Sequence, residues 1–406
     1  MKLDSPPVLC ILDSYRVWGG GQLQSLFNAS GMARRGFTVF LGAQREGSLY
    51  RATEKLLQNE PELRSHLHLF DSSFGNLGFL NPFKILPLAR FLRRERVTVL
   101  MSTLPRDLKA SVMAVRLLPP TERPAIYFRR GIAVPVRFSW LNRFLYGALD
   151  GLVVNSQETA RNVLKSGCLI SPDKVRVIYN GLDAEKFDRT LAASPTSLLP
   201  PFQNQADRPL VLGNAGRLSL QKGQKYLLYL SAALKRQGLR HRLIIAGEGQ
   251  LKAELAALAT RLGLEVGDEL ESERELCFVG FLENMAPFWR AIDVFVLSSL
   301  WEGSANVLAE AMLAEKPVCA FNCGSMPESV LEGQNGWLAE APGQYETDEA
   351  VGERLAEIIR RFYAEPEAIS RLGRAGRFFC LENFTSARAL DQLQTFLGLN
   401  EVLKEA

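Results

Sequence analysis

Two carboxylates, Glu302 and Glu310, lie eight residues apart in the segment WEGSANVLAE. The apolar run DVFVLSSL before them predicts a parallel strand that is covered on both faces. The run SANVLAEAML after them predicts a helix with Ser304 as its N-cap. Such a helix directs its free amides into the crevice where ligands bind, and Asn306 and Glu310 share one of its faces. This segment therefore predicts a ligand site, with a solvated surface glutamate beside a capping turn as the alternative.

Two cations follow another predicted strand, in the segment LGNAGRLSLQKG. Arg217 leaves the strand end, and Lys222, five residues later, is expected to open the next helix. Guanidinium and ammonium groups at this spacing can converge on one diphosphate.

Glycine turns form a third pattern. Gly19, Gly20 and Gly21 precede an amphipathic segment, where they would permit positive φ angles and close approach of a phosphate to the backbone. Their spacing is not the dinucleotide fingerprint, and a plain loop is the alternative. The turn AGEG, which contains Gly247, is common in α/β folds and is weak evidence alone.

These motifs need strands and helices to position them, and the apolar runs alternate in that way. Alternating strands and helices with right-handed crossovers predict parallel sheets flanked by helices. We expect an α/β fold of two Rossmann-like domains facing a cleft, with a helical C-terminal third. The predicted strands are VLCILD, TVFLGA, VTVLMS, AIYFRR, GLVVNS and KVRVIYNG in the first half, and PLVLGNAG, HRLIIAG, LCFVGF, DVFVLSS, KPVCAF and GWLA in the second.

Composition limits the class of protein. A chain of 406 residues is too long for one ordinary core, and 47% hydrophobic with 23% charged residues is typical of a soluble globular protein. No apolar run is long enough to span a bilayer, and the N-terminal apolar run is too short for a signal peptide. The six cysteines show no zinc pattern, so we expect a reducing cytoplasm.

Charge is unevenly distributed along the chain. Residues 1–187 carry 26 Lys plus Arg and 15 Asp plus Glu, whereas the remainder carries 22 and 29. The densest basic segments, 88–97 and 128–146, are interleaved with aromatic residues. A solvated face, an anionic membrane surface and an anionic substrate each explain this pattern. No nucleic-acid motif accompanies the charge, so a nucleic-acid partner is not expected.

Taken together, these motifs resemble the retaining glycosyltransferases of family 4, which have the GT-B fold. The resemblance rests on GRL-x3-KG, AGEG, FVGF and E-G-x6-E-A-M, with GGGQ near the start and VIYNGLDAEKF at the domain join. It implies an acceptor-binding domain over 1–187, a linker over 188–209 and a nucleotide-sugar domain over 210–380. It also implies a C-terminal helix, within 381–406, that packs back on the first domain.

The resemblance assigns roles to individual residues. Arg217 and Lys222 would hold the donor diphosphate, Glu302 would accept hydrogen bonds from the sugar, and Glu310 would hold the ribose. Gly20 would approach the diphosphate or the sugar from the first domain. The backbone at Val279 and Gly280 would read the base, and the amides from Ser304 to Leu308 would serve the sugar and phosphates. The other residues that we expect at the donor are Gly19, Gly21, Gly247, Gly303, Ala305, Asn306 and Val307.

One position departs from the family pattern. Many members carry a histidine near the end of the strand before the acceptor loop, where this chain has Arg129 and Arg130. A subset of the family has a similar Arg-Arg-Gly, so we interpret this as a variant catalytic site. An arginine cannot act as a general base, but it can stabilise charge on a departing diphosphate.

The sequence thus predicts a retaining hexosyltransferase that uses no metal and no cofactor, since the chain has no clear Asp-x-Asp site. Its donor would be a UDP- or GDP-sugar. Its acceptor would be a cell-envelope glycan or glycolipid, such as lipopolysaccharide or another polysaccharide. We expect a cytoplasmic protein with weak contact to the anionic inner face of the membrane. A nucleotide-sugar epimerase and a non-catalytic nucleotide- or membrane-binding module are the alternatives.

Overall fold

The computed structural model describes residues 6–74, 78–167, 169–194, 196–199, 208–267 and 274–399. The chain forms two compact units. The first comprises Met1–Gly181 and Ser386–Ala406, and the second comprises Leu182–Thr385. The predicted alternation of strands and helices is confirmed in both units.

The first unit is built on a parallel sheet whose strand order, among the described residues, is β3-β2-β1-β4-β5-β6-β7. Crossover helices connect consecutive strands, as parallel pairing requires. The strands are β1 (Val8–Asp13), β2 (Thr38–Ala43), β3 (Leu67–Asp71), β4 (Val99–Ser102), β5 (Ala125–Arg130), β6 (Gly151–Val154) and β7 (Val175–Val177). The helices are α1 (Gly20–Arg34), α2 (Ser48–Asn59), α3 (Pro82–Arg94), α4 (Pro105–Arg116), α5 (Trp140–Gly147) and α6 (Gln157–Leu164).

The core of this unit lies on both faces of the sheet. Successive side chains of a strand point to opposite faces, so Leu9 and Ile11 of β1 pack in one apolar cluster while Cys10 and Leu12 pack in another. This is why VLCILD is a continuous apolar run rather than an alternating one.

Helix α15 (Ser386–Phe396) belongs to the first unit although it follows the whole of the second unit in the sequence. Its residues Leu390 and Leu393 pack in the same apolar cluster as Leu9 and Ile11. A Cβ added at Gly31 of α1 would lie 2.5 Å from a methyl carbon of Leu390, so the glycine permits close packing of these two helices. The apolar face of α15 explains why the C-terminal segment packs on this sheet.

The second unit repeats the architecture, with the strand order β10-β11-β9-β8-β12-β13-β14 among the described residues. Its strands are β8 (Leu210–Ala215), β9 (His241–Ala246), β10 (Val266–Gly267), β11 (Leu276–Gly280), β12 (Val294–Leu297), β13 (Val318–Asn322) and β14 (Gly336–Glu340). Its helices are α7 (Ala184–Ala193), α8 (Lys225–Arg236), α9 (Lys252–Arg261), α10 (Ala286–Ala291), α11 (Asn306–Leu313), α12 (Met326–Ser329), α13 (Asp348–Ala364) and α14 (Glu367–Asn383).

The boundary between the units differs from the expected one. The chain enters the second unit after Gly181 instead of Phe187, and it returns at Ser386 instead of Leu381. The first residues of the expected linker are helical, because Asp183 caps α7 by accepting a hydrogen bond from the amide of Lys186 (2.9 Å). An ion pair from Arg377 to Asp188 (2.6 Å) ties α7 to α14. Residues 195 and 200–207 of that linker lie outside the described residues.

Helix lengths and hydropathy also bear on membrane topology. In the described part of the chain, no helix has both the length and the apolar character required to cross a bilayer.

Candidate active site

The predicted ligand-binding turns of the second unit follow neighbouring strands. Strands β11, β9, β8, β12 and β13 are adjacent in this order and all run parallel. Their carboxyl ends therefore lie at one edge of the sheet, where ligands of open α/β folds bind. Gly280, Gly247, Arg217, Glu302 and Gly324 each lie in or beside one of these strand ends. The fold thus brings the separate sequence motifs together.

Glu302 lies in the turn after β12 and is almost completely buried, with 6% of its surface exposed. Its carboxylate forms an ion pair with the ammonium group of Lys222. The amide of Ser325 donates a hydrogen bond to the Glu302 carbonyl (3.2 Å), which fixes the turn against the end of β13. The ammonium group gives the buried carboxylate an ion-pair partner. The surface-glutamate alternative is therefore wrong for Glu302.

The position of Lys222 depends on Gly223. Gly223 has a left-handed backbone (φ 59°), and a Cβ there would lie 2.2 Å from the carbonyl oxygen of Ser298. Only glycine permits this approach, which lets the Ser298 hydroxyl donate to the Lys222 carbonyl (2.9 Å). The turn after β8 is thus packed directly on the turn after β12.

Two local expectations at these turns were wrong. Lys222 does not open a helix: it ends a short 3-10 turn, and α8 begins at Lys225. Ser304 is not the N-cap of α11, since the helix begins at Asn306 and the capping position is Ala305, with no side-chain capping bond. The turn after β12 is longer than the sequence pattern suggested, and it leaves the start of α11 without a capping side chain.

Arg217 differs from Lys222 in its surroundings. Its side chain is exposed, and no hydrogen bond or ion pair of its guanidinium group is found among the described residues. Its carbonyl, by contrast, accepts a hydrogen bond from the Gln224 side chain (3.0 Å). The backbone at Arg217 is therefore fixed while its five donors remain available to a ligand.

Glu310 lies on α11, and no partner of its carboxyl group is found in the described residues. Burial raises the pKa of this carboxyl group to about 7. Desolvation without a compensating cation is the cause. A ligand that donates hydrogen bonds to the carboxylate would favour its charged form, so this residue fits a ligand that carries hydroxyl groups.

The turns after β9 and β11 complete this edge. Gly247 (φ 129°) donates its amide to the Gly280 carbonyl (2.6 Å), and a Cβ on Gly247 would lie 2.1 Å from the Gly216 oxygen. The register between β11 and β9 shifts between Phe278 and Gly280. Val279 is therefore the bulged residue, which frees part of its backbone from the ladder.

In the first unit, the glycine turn lies at the carboxyl edge of the sheet, between β1 and α1. None of Gly19, Gly20 and Gly21 has a positive φ, so the expectation of positive φ angles was wrong, while close approach of a phosphate to this backbone stays a prediction. Gly19 is extended and precedes a helix that begins at Gly20. A Cβ added at Gly21 would meet no heavy atom within 4 Å. Gly21 therefore leaves open space in the first turn of α1, whereas a Cβ at Gly19 would lie 3.4 Å from the Gln22 side-chain oxygen.

Buried carboxylates fix this turn, and the sequence analysis did not find them. Asp13, at the end of β1, accepts hydrogen bonds from the Ser25 hydroxyl (2.6 Å) and from the Gln22 side chain (3.1 and 3.3 Å). Asp107 of α4 accepts from the amide (2.9 Å) and hydroxyl (2.5 Å) of Ser14. Burial raises the pKa of Asp107 to about 6. An aspartate that ends a buried apolar strand was the available signal.

Arg129 and Arg130 end β5, at the same edge of the first sheet as the glycine turn. Arg129 is 6% exposed and donates to the side-chain oxygen of Asn180 (2.6 Å). Burial lowers its pKa to about 10, and the negative charge of Asp13 opposes this shift, so the residue is charged at neutral pH. Arg130 donates to the Val134 carbonyl and contacts Tyr146. Arg129 is thus buried within the first unit and is not a solvated surface charge.

Metal ligands were also sought in the residues that the structure describes. No group of three or more histidine, cysteine, aspartate or glutamate side chains among them is arranged to hold a metal ion. The cations available to an anionic ligand at the second edge are those of Arg217 and Lys222.

Family models match both halves of the chain. Residues 18–186 match the model described as Glycosyltransferase Family 4, and residues 209–360 match Glycosyl transferases group 1. The chain belongs to glycosyltransferase family 4. The two matches divide the chain between the same two sheets, and each includes one of the edges described above.

Individual relatives agree with this family. The chain is 28% identical over 260 residues to the alpha-maltose-1-phosphate synthase of Mycolicibacterium smegmatis, with 63% of this chain and 64% of the relative covered. The matches to the curated relatives span less than two thirds of those proteins' length.

Solved structures share the fold. HepE of Anabaena, in complex with UDP and glucose, has a TM-score of 0.72 at 22% identity, over 96% of this chain and 99% of that one. The lipopolysaccharide outer core galactosyltransferase WaaB has a TM-score of 0.67 at 17% identity, over 97% and 99%. The expected GT-B fold class is confirmed.

Proposed function

We propose that this protein is a glycosyltransferase that moves a hexose from a nucleoside-diphosphate sugar, with retention of configuration, to a cell-envelope glycan or glycolipid. The observation that carries the proposal is the edge of the second sheet. There an exposed guanidinium (Arg217), an ammonium–carboxylate pair (Lys222 and Glu302) and a carboxyl with no partner among the described residues (Glu310) follow two adjacent strands, β8 and β12. This set matches a ligand with a diphosphate between two groups that bear hydroxyls.

Each residue then has a chemical task. Arg217 and Lys222 bind the diphosphate and stabilise the charge that develops on it as the glycosidic bond breaks, which is a task that a metal performs in other transferases. Glu302 accepts hydrogen bonds from the sugar, and Glu310 accepts them from the ribose. The bulged backbone at Val279 and Gly280 contacts the base. Residues from Gly303 to Leu308 present amides to the sugar and phosphates.

UDP is the nucleotide that we favour. HepE, whose fold this chain shares, was solved with UDP and glucose. GDP is the second choice. A thermal-shift panel of UDP-, GDP- and ADP-sugars tests the choice, because a ligand at 100 times its dissociation constant adds about 2.7 kcal/mol of stability. No stabilisation by any of the three would contradict the proposal.

Turnover separates this function from its alternatives. We expect the sugar nucleotide to be consumed far faster with a suitable acceptor than without one. The anomeric proton of the product, observed by NMR, should show the configuration of the donor. Conversion of the UDP-sugar without acceptor into an epimer would instead identify an epimerase. Binding of nucleotide with no turnover of any kind would identify a binding module.

Contact with an anionic membrane surface is part of the proposal. The segment after β5 exposes Ile132, Phe138 and Trp140 together with the cations Arg137 and Arg143. Exposed aromatic and aliphatic side chains between arginines suit the interface of an anionic bilayer. Weak binding to anionic vesicles that salt abolishes is expected. Trp140→Ala should reduce it, and Phe378→Ala, on an exposed face of the second unit, should not.

A further inference from the structure

A cavity of about 250 Å³ opens at the carboxyl end of β3, beside helix α3 of the first unit. Its apolar wall consists of phenylalanine, proline and leucine side chains, and its polar wall consists of four side chains. The apolar residues are Phe70, Phe74, Phe83, Pro87, Leu88 and Phe91, and the polar ones are Asp71, Ser72, Ser73 and Lys84. An apolar cavity of about 150 Å³ is already large enough to bind benzene.

The wall of the cavity is rigid where it is aromatic. Phe70 and Phe91 stack with their ring centroids 4.5 Å apart, and Phe91 also meets Phe40 edge-on at 5.2 Å. Such ring pairs are held by packing in the adjacent core rather than by solvent. The cavity is therefore a feature of the folded unit and does not depend on one exposed side chain.

One buried polar atom in the wall has no partner among the described residues. Ser72 is 3% exposed, and its hydroxyl forms no hydrogen bond with any residue that the structure describes. Its amide is fixed by the carbonyl of Ala43 (2.9 Å), so the residue is held in place. A buried hydroxyl without a partner is costly, and a ligand oxygen at this point would remove that cost.

The mouth of the cavity extends the apolar surface. Phe83 is 87% exposed, and Leu80 is exposed in the same segment. Lys84, at the mouth, donates to the Ser73 carbonyl (2.7 Å) and brings a positive charge to the rim. Contiguous exposed apolar groups beside a cavity indicate a ligand whose apolar part is longer than the cavity itself.

We infer that this cavity binds the hydrocarbon chain of an amphiphilic acceptor, with the oxygen at the junction of head group and chain at Ser72. This inference rests on the proposed function, because it names the acceptor as a lipid-linked molecule. A glycan can stack the C–H face of a sugar ring on an aromatic side chain, but it has no extended apolar chain to fill a cavity lined by four phenylalanine rings. The cavity lies at the carboxyl edge of the first sheet, the edge at which β1 leads into the glycine turn.

The test uses n-alkyl β-D-glucosides of increasing chain length, below their micelle concentrations, with the full-length protein and calorimetry. Each buried methylene should raise affinity about fourfold. The rise should stop at the chain length that fills the cavity and covers its exposed rim at Phe83. A rise that continues without a plateau would show adsorption on an apolar surface and would overturn the inference, as would absence of binding.

Adjacent residues of α3 provide matched variants. Pro87→Trp places an indole at the cavity mouth and should weaken octyl glucoside binding roughly tenfold or more, the loss of about two buried methylenes. Leu86→Trp, which adds the same ring one residue away and outside the cavity lining, should change binding less than about twofold. Equal effects of the two variants would overturn the inference. Pro87→Ala controls for removal of the proline itself.

The hydroxyl provides a second matched pair. Ser72→Ala should weaken binding of the glucosides about two- to tenfold through one lost hydrogen bond, whereas exposed Ser73→Ala should have no effect. UDP binding is measured on the same samples. If UDP binds and the glucosides do not, this inference fails while the proposed function stands. If the glucosides bind at the cavity and no nucleotide binds, the transferase proposal fails instead.

Discussion

The carboxyl edges of the two sheets differ in how their charged groups are satisfied. In the first unit, Asp13 and Asp107 accept hydrogen bonds from their own turn, and Arg129 is buried against Asn180. In the second unit, no partner is found among the described residues for the exposed Arg217 guanidinium or for the Glu310 carboxyl, whereas Lys222 and Glu302 pair with each other. The same strand-turn-helix architecture thus yields a fixed turn in one unit and available ligand groups in the other. The lack of an internal partner distinguishes Arg217 and Glu310 from the charged groups of the first edge.

Glu302 is the position where we expect the largest effect. Glu302→Gln keeps the shape but removes the charge that pairs with Lys222 and weakens the acceptor for sugar hydroxyls. Turnover of the UDP-sugar should fall roughly a hundredfold or more, while affinity for free UDP should be nearly unchanged. Initial rates and calorimetry on the same preparation measure the two quantities. A parallel loss of UDP affinity would mean that Glu302 serves the diphosphate rather than the sugar.

The two cations of the second edge should differ from each other. Arg217→Ala and Lys222→Ala should each reduce UDP affinity about ten- to a hundredfold, since each removes a charge-assisted hydrogen bond of about 1.5–3 kcal/mol. Only Lys222→Ala should also lower the melting temperature, because it leaves Glu302 buried without its cation. Unchanged UDP affinity in both variants would reject the diphosphate site.

The arginines of the first edge test the comparison directly. Arg129→Lys and Arg130→Ala should retain UDP affinity within about twofold. These arginines are proposed to act at the reacting sugar, and no contact with the nucleotide is proposed for them. Turnover should fall, and a histidine at either position should restore little of it. Melting curves are required for Arg129, whose guanidinium is buried. Normal turnover in both variants would make these residues structural only.

Glu310 should show opposite effects on stability and on binding. Its pKa of about 7 lies above the unfolded value, so the unfolded state loses its proton first and stability falls as pH rises from about 4.5 to 7. Glu310→Gln removes that cost, and the free protein should be about 1–3 kcal/mol more stable at pH 8 than the wild type, with little difference at pH 4.5. UDP affinity should nevertheless decrease. Urea unfolding at both pH values measures the first effect.

Substitution of Asp107 should give the smallest effect on stability, with a pH dependence of the same sign as that of Glu310. Its pKa of about 6 implies a stability loss as pH rises from about 4 to 6. Asp107→Asn removes this pH dependence. The asparagine side chain has a single oxygen, however, so it can replace only part of the hydrogen bonding that Asp107 accepts from Ser14. We expect a net change of about 1 kcal/mol or less at pH 8. A large loss of stability at all pH values would show that the two hydrogen bonds outweigh the cost of burying the charge.

Much of the fold was predictable from local patterns. Continuous apolar runs bounded by glycine, aspartate or serine predicted twelve of the strands, because parallel strands are buried on both faces. Strand β3, whose short run LHLFD contains a histidine, and the two-residue strand β10, which is too short to have a pattern, were not among the twelve. The second part of α7, residues 188–193, was assigned to the linker although Asp183 supplied a capping signal. The C-terminal segment was expected to pack back on the first unit, and the structure places α15 there.

The sequence by itself identified the types and spacing of the groups that can hold a diphosphate and two hydroxyl-bearing moieties. It did so because glycine turns and charged residues after apolar strands are local features. It could not show that Lys222 and Glu302 form an ion pair, because eighty positions of chain separate them. Only the tertiary structure brought the ends of β8 and β12 together. Burial decided the rest, because it raised the pKa of Glu310, enclosed Arg129 and placed Ser72 in a cavity wall that contains phenylalanine rings. The burial of a residue depends on all the elements that pack around it, so a local sequence pattern does not determine it.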